Sequence, residues 1–152
     1  MTPPKSVHMP SKKNLQQLID LARSKSDHAA RSLGASRSHE EEELGKLRLL
    51  IEYRKEYMLR FDEAARKGLD RNAWNNYHEF LHKLDDAIEQ QHQVVARHHV
   101  NVEERRTLWH AASRRLKSFD ALDQRRQQAE RVSERKREQR EHDEFAHHAR
   151  KH

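Results

Sequence analysis

No proline occurs between Ser11 and His152; all three prolines, Pro3, Pro4 and Pro10, precede that stretch. Glycine is almost as scarce, at Gly34, Gly45 and Gly68. Proline breaks helices and glycine weakens them. A chain with so few of either, and with few β-branched residues, is built for long helices rather than sheet. Hydrophobic residues make up 34% and charged residues 37%. That is too polar for a core of ordinary globular size, but it suits helices that bury a narrow stripe.

The stripe is written in the second half. Trp74, Leu81, Ile88, Val95, Val102, Trp109 and Leu116 recur at intervals of seven. A second set, offset by three, runs through Tyr77, Leu84, Gln91, His98, Arg105, Ala112 and Phe119. Together they give the 3.5-residue period of a coiled-coil seam, with a polar middle at Gln91, His98 and Arg105 that can set register. In the first half, Leu15, Ile19, Ala22, Ala29, Leu33 and Ser36 fit one frame. Leu44, Leu47, Ile51, Met58, Phe61 and Ala65 fit a frame shifted by one. This pattern predicts an irregularity near Glu40 to Glu43, flanked by Gly34 and Gly45, where the first helix should be weakest.

Arg66-Lys67-Gly68-Leu69-Asp70-Arg71 separates the halves. Two cations suit a helix C-terminus, Gly68 a left-handed cap and Asp70 the N-cap of a following helix. The expected fold is therefore all-α: a long antiparallel two-helix coiled-coil hairpin. Its expected parts are a flexible segment at 1–13, a helix at 14–66, a turn at 67–70 and a helix at 71–148. All of 14–150 would form one domain. Folding about Gly68 sets Leu15 near Ala121, which is where the second stripe fades, after Phe119 and Leu122. From about 123 the chain should continue as a polar helix beyond its partner.

Several function classes drop out. With no cysteine there is no disulfide, thiolate metal site or cysteine nucleophile. No apolar run approaches the length of a membrane span, and the first residues lack the apolar core of a secretory signal, so a cytoplasmic location is expected. His78-Glu79-Phe80-Leu81-His82 matches the zinc-protease pattern H-E-x-x-H. On a two-helix seam, however, Tyr77 and Leu81 face inward and both histidines face out. A third ligand is lacking too: Glu103 lies 21 residues past His82, roughly 30 Å along one helix. Neither a nucleophilic constellation nor a glycine-rich phosphate loop is present. No catalytic residue, metal or cofactor is expected.

The net charge of +6 is unevenly spread. Residues 1–38 hold seven Lys and Arg against two Asp, a balance of +5; residues 39–70 hold seven against nine acidic residues, −2. Residues 71–122 come to +1 and residues 123–152 to +2. A basic excess near both chain ends suits an acidic protein surface or nucleic acid. The interleaving of 25 acidic with 31 basic residues leaves no continuous basic stripe, so nucleic acid is the weaker of the two.

Segments along nearly the whole chain resemble the FliJ family, the coiled-coil component of the flagellar type III export apparatus. They are Leu18-Ile19-Asp20-Leu21-Ala22, Asp27 through Gly34, and Leu50 through Tyr57. After the turn come Trp74-Asn75-Asn76-Tyr77-His78-Glu79-Phe80-Leu81, in the style of the family's N-Y-x-x-F, and Leu84 through Gln91. Trp109, Arg115-Leu116 and a closing Asp143-Glu144-Phe145-Ala146 complete the set. The family does not require histidine at 78 or 82.

The resemblance implies a hairpin similar to the central stalk, the gamma subunit, of rotary ATP synthases. It also implies binding to the export ATPase FliI and support of its ring assembly and activity. Coupling to the membrane export gate protein FlhA and contact with export chaperones are implied as well. Its setting would be the cytoplasmic face of the inner membrane. On this basis Tyr77, Phe80 and Leu84 near the turn, and Phe145 near the end, are candidate partner-binding residues. The open, basic end, residues 1–38 and 115–152, would enter the ATPase ring. A nucleic-acid-binding or generic chaperone-like coiled coil is the alternative.

Overall fold

A computed structural model of the protein describes residues 11–151. It contains two helices, α1 at Lys12–Lys67 and α2 at Arg71–Lys151, joined by three residues and packed antiparallel as a hairpin. Helix α1 begins two residues before the expected 14 because Ser11 caps it. The Asn14 amide donates to Ser11 Oγ at 3.2 Å and the Leu15 amide to the Ser11 carbonyl at 2.8 Å. Residues 1–10 of the segment expected to be flexible lie outside the described residues.

The turn is closed from both sides. Arg66 and Lys67 occupy the last turn of α1, where cations oppose the negative end of the helix dipole. Gly68 has φ 94°, a left-handed conformation that costs glycine little. Asp70 then caps α2: its Oδ1 accepts the Ala73 amide at 2.7 Å, and its carbonyl accepts the Trp74 amide at 3.0 Å. Helix α2 runs to Lys151, beyond the expected 148.

Two compact units are distinguished, one of Ala29–Trp109 and one of the residues up to His28 with those from His110 onward. In the unit containing the turn, Leu33, Leu47 and Phe61 of α1 are buried with Leu81, Leu84 and Val102 of α2. The seam residues Ile88, Val95 and Trp109 are half-buried. Trp74 stays 45% exposed, so the first seam position closest to the turn is only partly covered.

The expected frame shift near Glu40 to Glu43 is absent. Ala29, Leu33, Ser36, Glu40, Glu43, Leu47, Leu50, Arg54, Tyr57, Phe61 and Ala64 step by four and three without a break, and each is buried or half-buried. The frame looked broken because polar side chains fill its middle. Gln91, His99 and Asn101 of α2 answer them. Gln91 Nε2 donates to the Glu43 carboxylate at 2.7 Å, Asn101 Nδ2 donates to Ser36 Oγ at 3.3 Å, and His99 Nδ1 lies 3.3 Å from Glu40 Oε2. The pairs centre on the turn: Ser36 is 32 residues before Gly68 and Asn101 is 33 after it.

In the other unit, Leu15, Ile19, Ala22 and Ser26 of α1 are buried, and Ala112, Leu116 and Phe119 of α2 are half-buried. Arg126, its side chain only 12% exposed, bonds Asp123 at 3.1 Å and Glu130 at 2.7 Å. From Gln127 to Lys151 every residue of α2 is exposed.

Candidate interaction surfaces

Near the turn, α1 presents Tyr53, Tyr57 and Phe61 at intervals of four, which places them on one helical face. Helix α2 brings Trp74, Tyr77, His78 and Phe80 against them. The Phe80 ring centroid lies 4.5 Å from Tyr57 and 6.1 Å from Tyr53. Tyr77 lies 5.3 Å from Tyr57 and 5.4 Å from Phe61. Offset and edge-on aromatic pairs at such distances add to ordinary apolar burial. Burial pushes the Tyr57 hydroxyl pKa up, with smaller contributions from Tyr77 and Tyr53.

Of the candidate residues on this face, Tyr77 and Phe80 are half-buried within the cluster. Leu84, 7% exposed, lies in the seam and has little surface to offer. Tyr53 and Trp74 keep 43% and 45% of their surface and form the accessible rim. Tyr53 and Tyr57 were not singled out as contact residues in the sequence, and Phe61 was read only as a seam position, although their spacing by four was the available signal. One turn along, Arg54 Nε meets Asp85 Oδ1 at 2.6 Å. That hydrogen bond, with the charge behind it, raises the arginine's pKa.

The His78 ring packs against Trp74 at 4.5 Å, tilted by 52°, and meets Phe61 edge-on at 5.3 Å, so it covers the aromatic cluster from outside. Glu79 is paired with Lys83 at 3.8 Å, and His82 is exposed. Among the described residues no three His, Cys, Asp or Glu stand close enough to hold a metal ion. Among them, too, no helix is long and apolar enough to cross a membrane.

Phe145, the other candidate, is 74% exposed on α2 and lines a shallow surface groove with Arg135, Gln139 and His142. In the same unit, Leu18, Leu21, Ala22, Ala112 and Phe119 line a crevice of about 60 Å³, with Lys25 and Arg115 at its lip.

Fold and surfaces thus define a helical-hairpin protein with an aromatic cluster near its turn and a long, exposed final stretch of α2. Its sequence matches the family model described as flagellar FliJ protein over residues 11–151. It is 32% identical to the flagellar FliJ protein of Salmonella typhi and 31% identical to that of Escherichia coli (strain K12). Each match spans 132 residues, covering 87% of this chain and 90% of the relative. The chain belongs to the flagellar FliJ family.

Proposed function

We propose that this protein is the stalk of a flagellar type III export apparatus. In this reading it binds the export ATPase FliI, promotes ring assembly and hydrolysis, and couples the ring to the export gate protein FlhA. It works at the cytoplasmic face of the inner membrane and also contacts export chaperones. The stalk supplies position and contact; the ATPase supplies the chemistry. The observation that carries the proposal is the length of α2, which remains helical and exposed for the 25 residues from Gln127 to Lys151. A surface of that kind suits enclosure by another protein. Membership of the flagellar family supports the same reading. The aromatic cluster near the turn is then assigned to the gate, with Phe80 and Tyr77 as its anchors.

The test is ATP hydrolysis by the matching flagellar ATPase with and without this chain. Stimulation that saturates near one chain per six ATPase subunits is the expected result. The absence of both stimulation and co-elution would overturn the proposal. Steeply salt-dependent binding to DNA or RNA would then favour a nucleic-acid-binding coiled coil.

A further inference from the structure

The crevice of the unit containing the chain ends is lined by two leucines that lie outside the fully buried face of α1. Leu15, Ile19 and Ala22 turn one face of α1 toward α2 and are 1%, 3% and 5% exposed. Leu18 and Leu21 fall off that face and remain 38% and 54% exposed. They do not serve the hairpin's own packing in full, yet they converge with Ala112 and Phe119 on one small apolar hollow. Exposed apolar side chains that cluster around a concavity mark a contact surface more than scattered ones do.

The lip is cationic and partly fixed. The Arg115 guanidinium lies 5.9 Å from the centroid of the Phe119 ring, a cation–π contact that positions it beside the hollow. Lys25 stands at the same lip, one helical turn past Leu21 and Ala22. The surroundings have the same sign: residues 12–28 and 110–122 hold seven Lys and Arg against three Asp, a balance of +4.

We propose that this crevice receives one apolar side chain from an acidic segment of the export ATPase. The carboxylates flanking that side chain would meet Lys25 and Arg115. The proposal rests on the stalk reading above and names where and by what chemistry the ring is held. The hollow has room for the tip of a single side chain, so the contact is an anchor with a charged rim. In such interfaces a buried apolar group supplies affinity and the rim supplies steering and orientation. Residues 1–10 are poor candidates for the occupant because they contain no acidic residue. A second copy would bring the same positive surface against itself.

The experiment measures ATPase affinity for the full chain, for Leu21→Gln, for the double variant Lys25→Glu/Arg115→Glu, and for a chain lacking residues 2–10. Both groove variants should weaken binding by about tenfold or more, with thermal unfolding midpoints close to that of the parent. Loss of affinity in the charge-reversed variant should be largest at low salt. The shortened chain should bind as the parent does.

Parent-like affinity in both groove variants overturns the proposal and leaves the stalk reading standing. Tighter binding by the shortened chain would show that the chain's own first residues fill the crevice, and a parent dimer dissociated by Leu21→Gln would assign it to a second copy. Either result overturns the proposal. Failure of the parent chain to bind the ATPase removes the stalk reading and this inference together.

Discussion

Gln91 holds Glu43 twice: its Nε2 donates to the carboxylate at 2.7 Å and to the main-chain carbonyl oxygen at 2.9 Å. One amide from α2 is thereby tied to both the side chain and the backbone of α1. Such a pair specifies register, because sliding the helices by one turn would leave a half-buried amide and carboxylate unmatched.

The same pair makes stability depend on pH. The hydrogen bond from Gln91, followed by that from Lys46, holds the Glu43 carboxyl below its ordinary value of 4.5. A group with a lowered folded-state pKa contributes stability that is complete above its unfolded value and lost as pH falls through the folded one. Melting temperatures measured from pH 6 to pH 3 should decline below about pH 4.5, and the decline should be shallower in Glu43→Gln. Parallel curves would show that Glu43 contributes nothing to the acid sensitivity. Replacing both partners by leucine should raise the melting temperature at neutral pH, since an apolar pair of similar volume avoids the desolvation of the carboxylate.

Arg54 and Asp85 make the shortest ion pair between the helices among those described, at 2.6 Å, yet their side chains are 38% and 50% exposed. Solvent and salt screen such a pair, and measured values for exposed pairs are about 0.2–1 kcal/mol. A double-mutant cycle of Arg54→Ala and Asp85→Ala should give a coupling in that range at low salt, falling toward zero in 1 M salt. A coupling of several kcal/mol that persisted in salt would show that the pair is far better shielded than its exposure indicates.

Position along the seam decides what a truncation costs. Leu81 is 7% exposed and should lose about 2–4 kcal/mol on change to Ala, in the range of buried leucines. Trp74 is 45% exposed, so Trp74→Ala should cost less despite the larger side chain. Ile88→Asp, which places a charge in the half-buried seam, should unfold the hairpin outright. Circular-dichroism melts rank these variants. A Trp74→Ala loss greater than that of Leu81→Ala would mean that the aromatic cluster, and not the aliphatic seam, dominates the stability of this unit.

The hairpin and its turn were legible because they depend on local chemistry and on a strict period. Gly68 and Asp70 are residue types that caps require, and the seven-residue repeat of α2 survives reading without a partner. The middle of α1 was not legible in the same way. Glu40, Glu43 and Arg54 occupy inward positions, and only their partners on α2 explain why charged groups are tolerated there. Hydrophobicity alone therefore moved the frame to Leu44, Ile51 and Met58. Candidate contact surfaces were harder still. Phe80 became a candidate only through the family resemblance, and its neighbours Tyr53 and Tyr57 arrive from the other helix. The Leu18 and Leu21 crevice exists only once Ala112 and Phe119 are set against it.

Phe80 lies in two roles at once, in the aromatic cluster and at its surface. Removing the ring by Phe80→Ala takes away its contact with Tyr57 at 4.5 Å, and should cost about 1–3 kcal/mol while leaving the helical content unchanged. If the cluster docks the gate, affinity for the isolated cytoplasmic part of FlhA should fall by about tenfold or more at a temperature where the variant is fully folded. Unchanged affinity would confine Phe80 to the hairpin's own packing and move the search to the exposed rim at Tyr53 and Trp74.

The three glycines should respond in opposite directions. A Cβ placed on any of them meets nothing within 4 Å, so space is not at issue and backbone conformation decides. Gly34 and Gly45 are helical, and changing either to Ala should stabilise the protein by about 0.5–1 kcal/mol, because alanine restricts the unfolded chain and favours the helix. Gly68 has φ 94°, where an L side chain is strained, so Gly68→Ala should destabilise by about 1–2 kcal/mol. Hydrogen exchange adds a local readout. If α1 is weakest where Gly34 and Gly45 flank the polar middle, the amides between them should exchange faster than those of Leu47 to Phe61, and the two alanines should slow them. Equal protection along α1 in the parent chain would mean that the pairs of Ser36, Glu40 and Glu43 with α2 fully offset what the glycines and the polar seam take away.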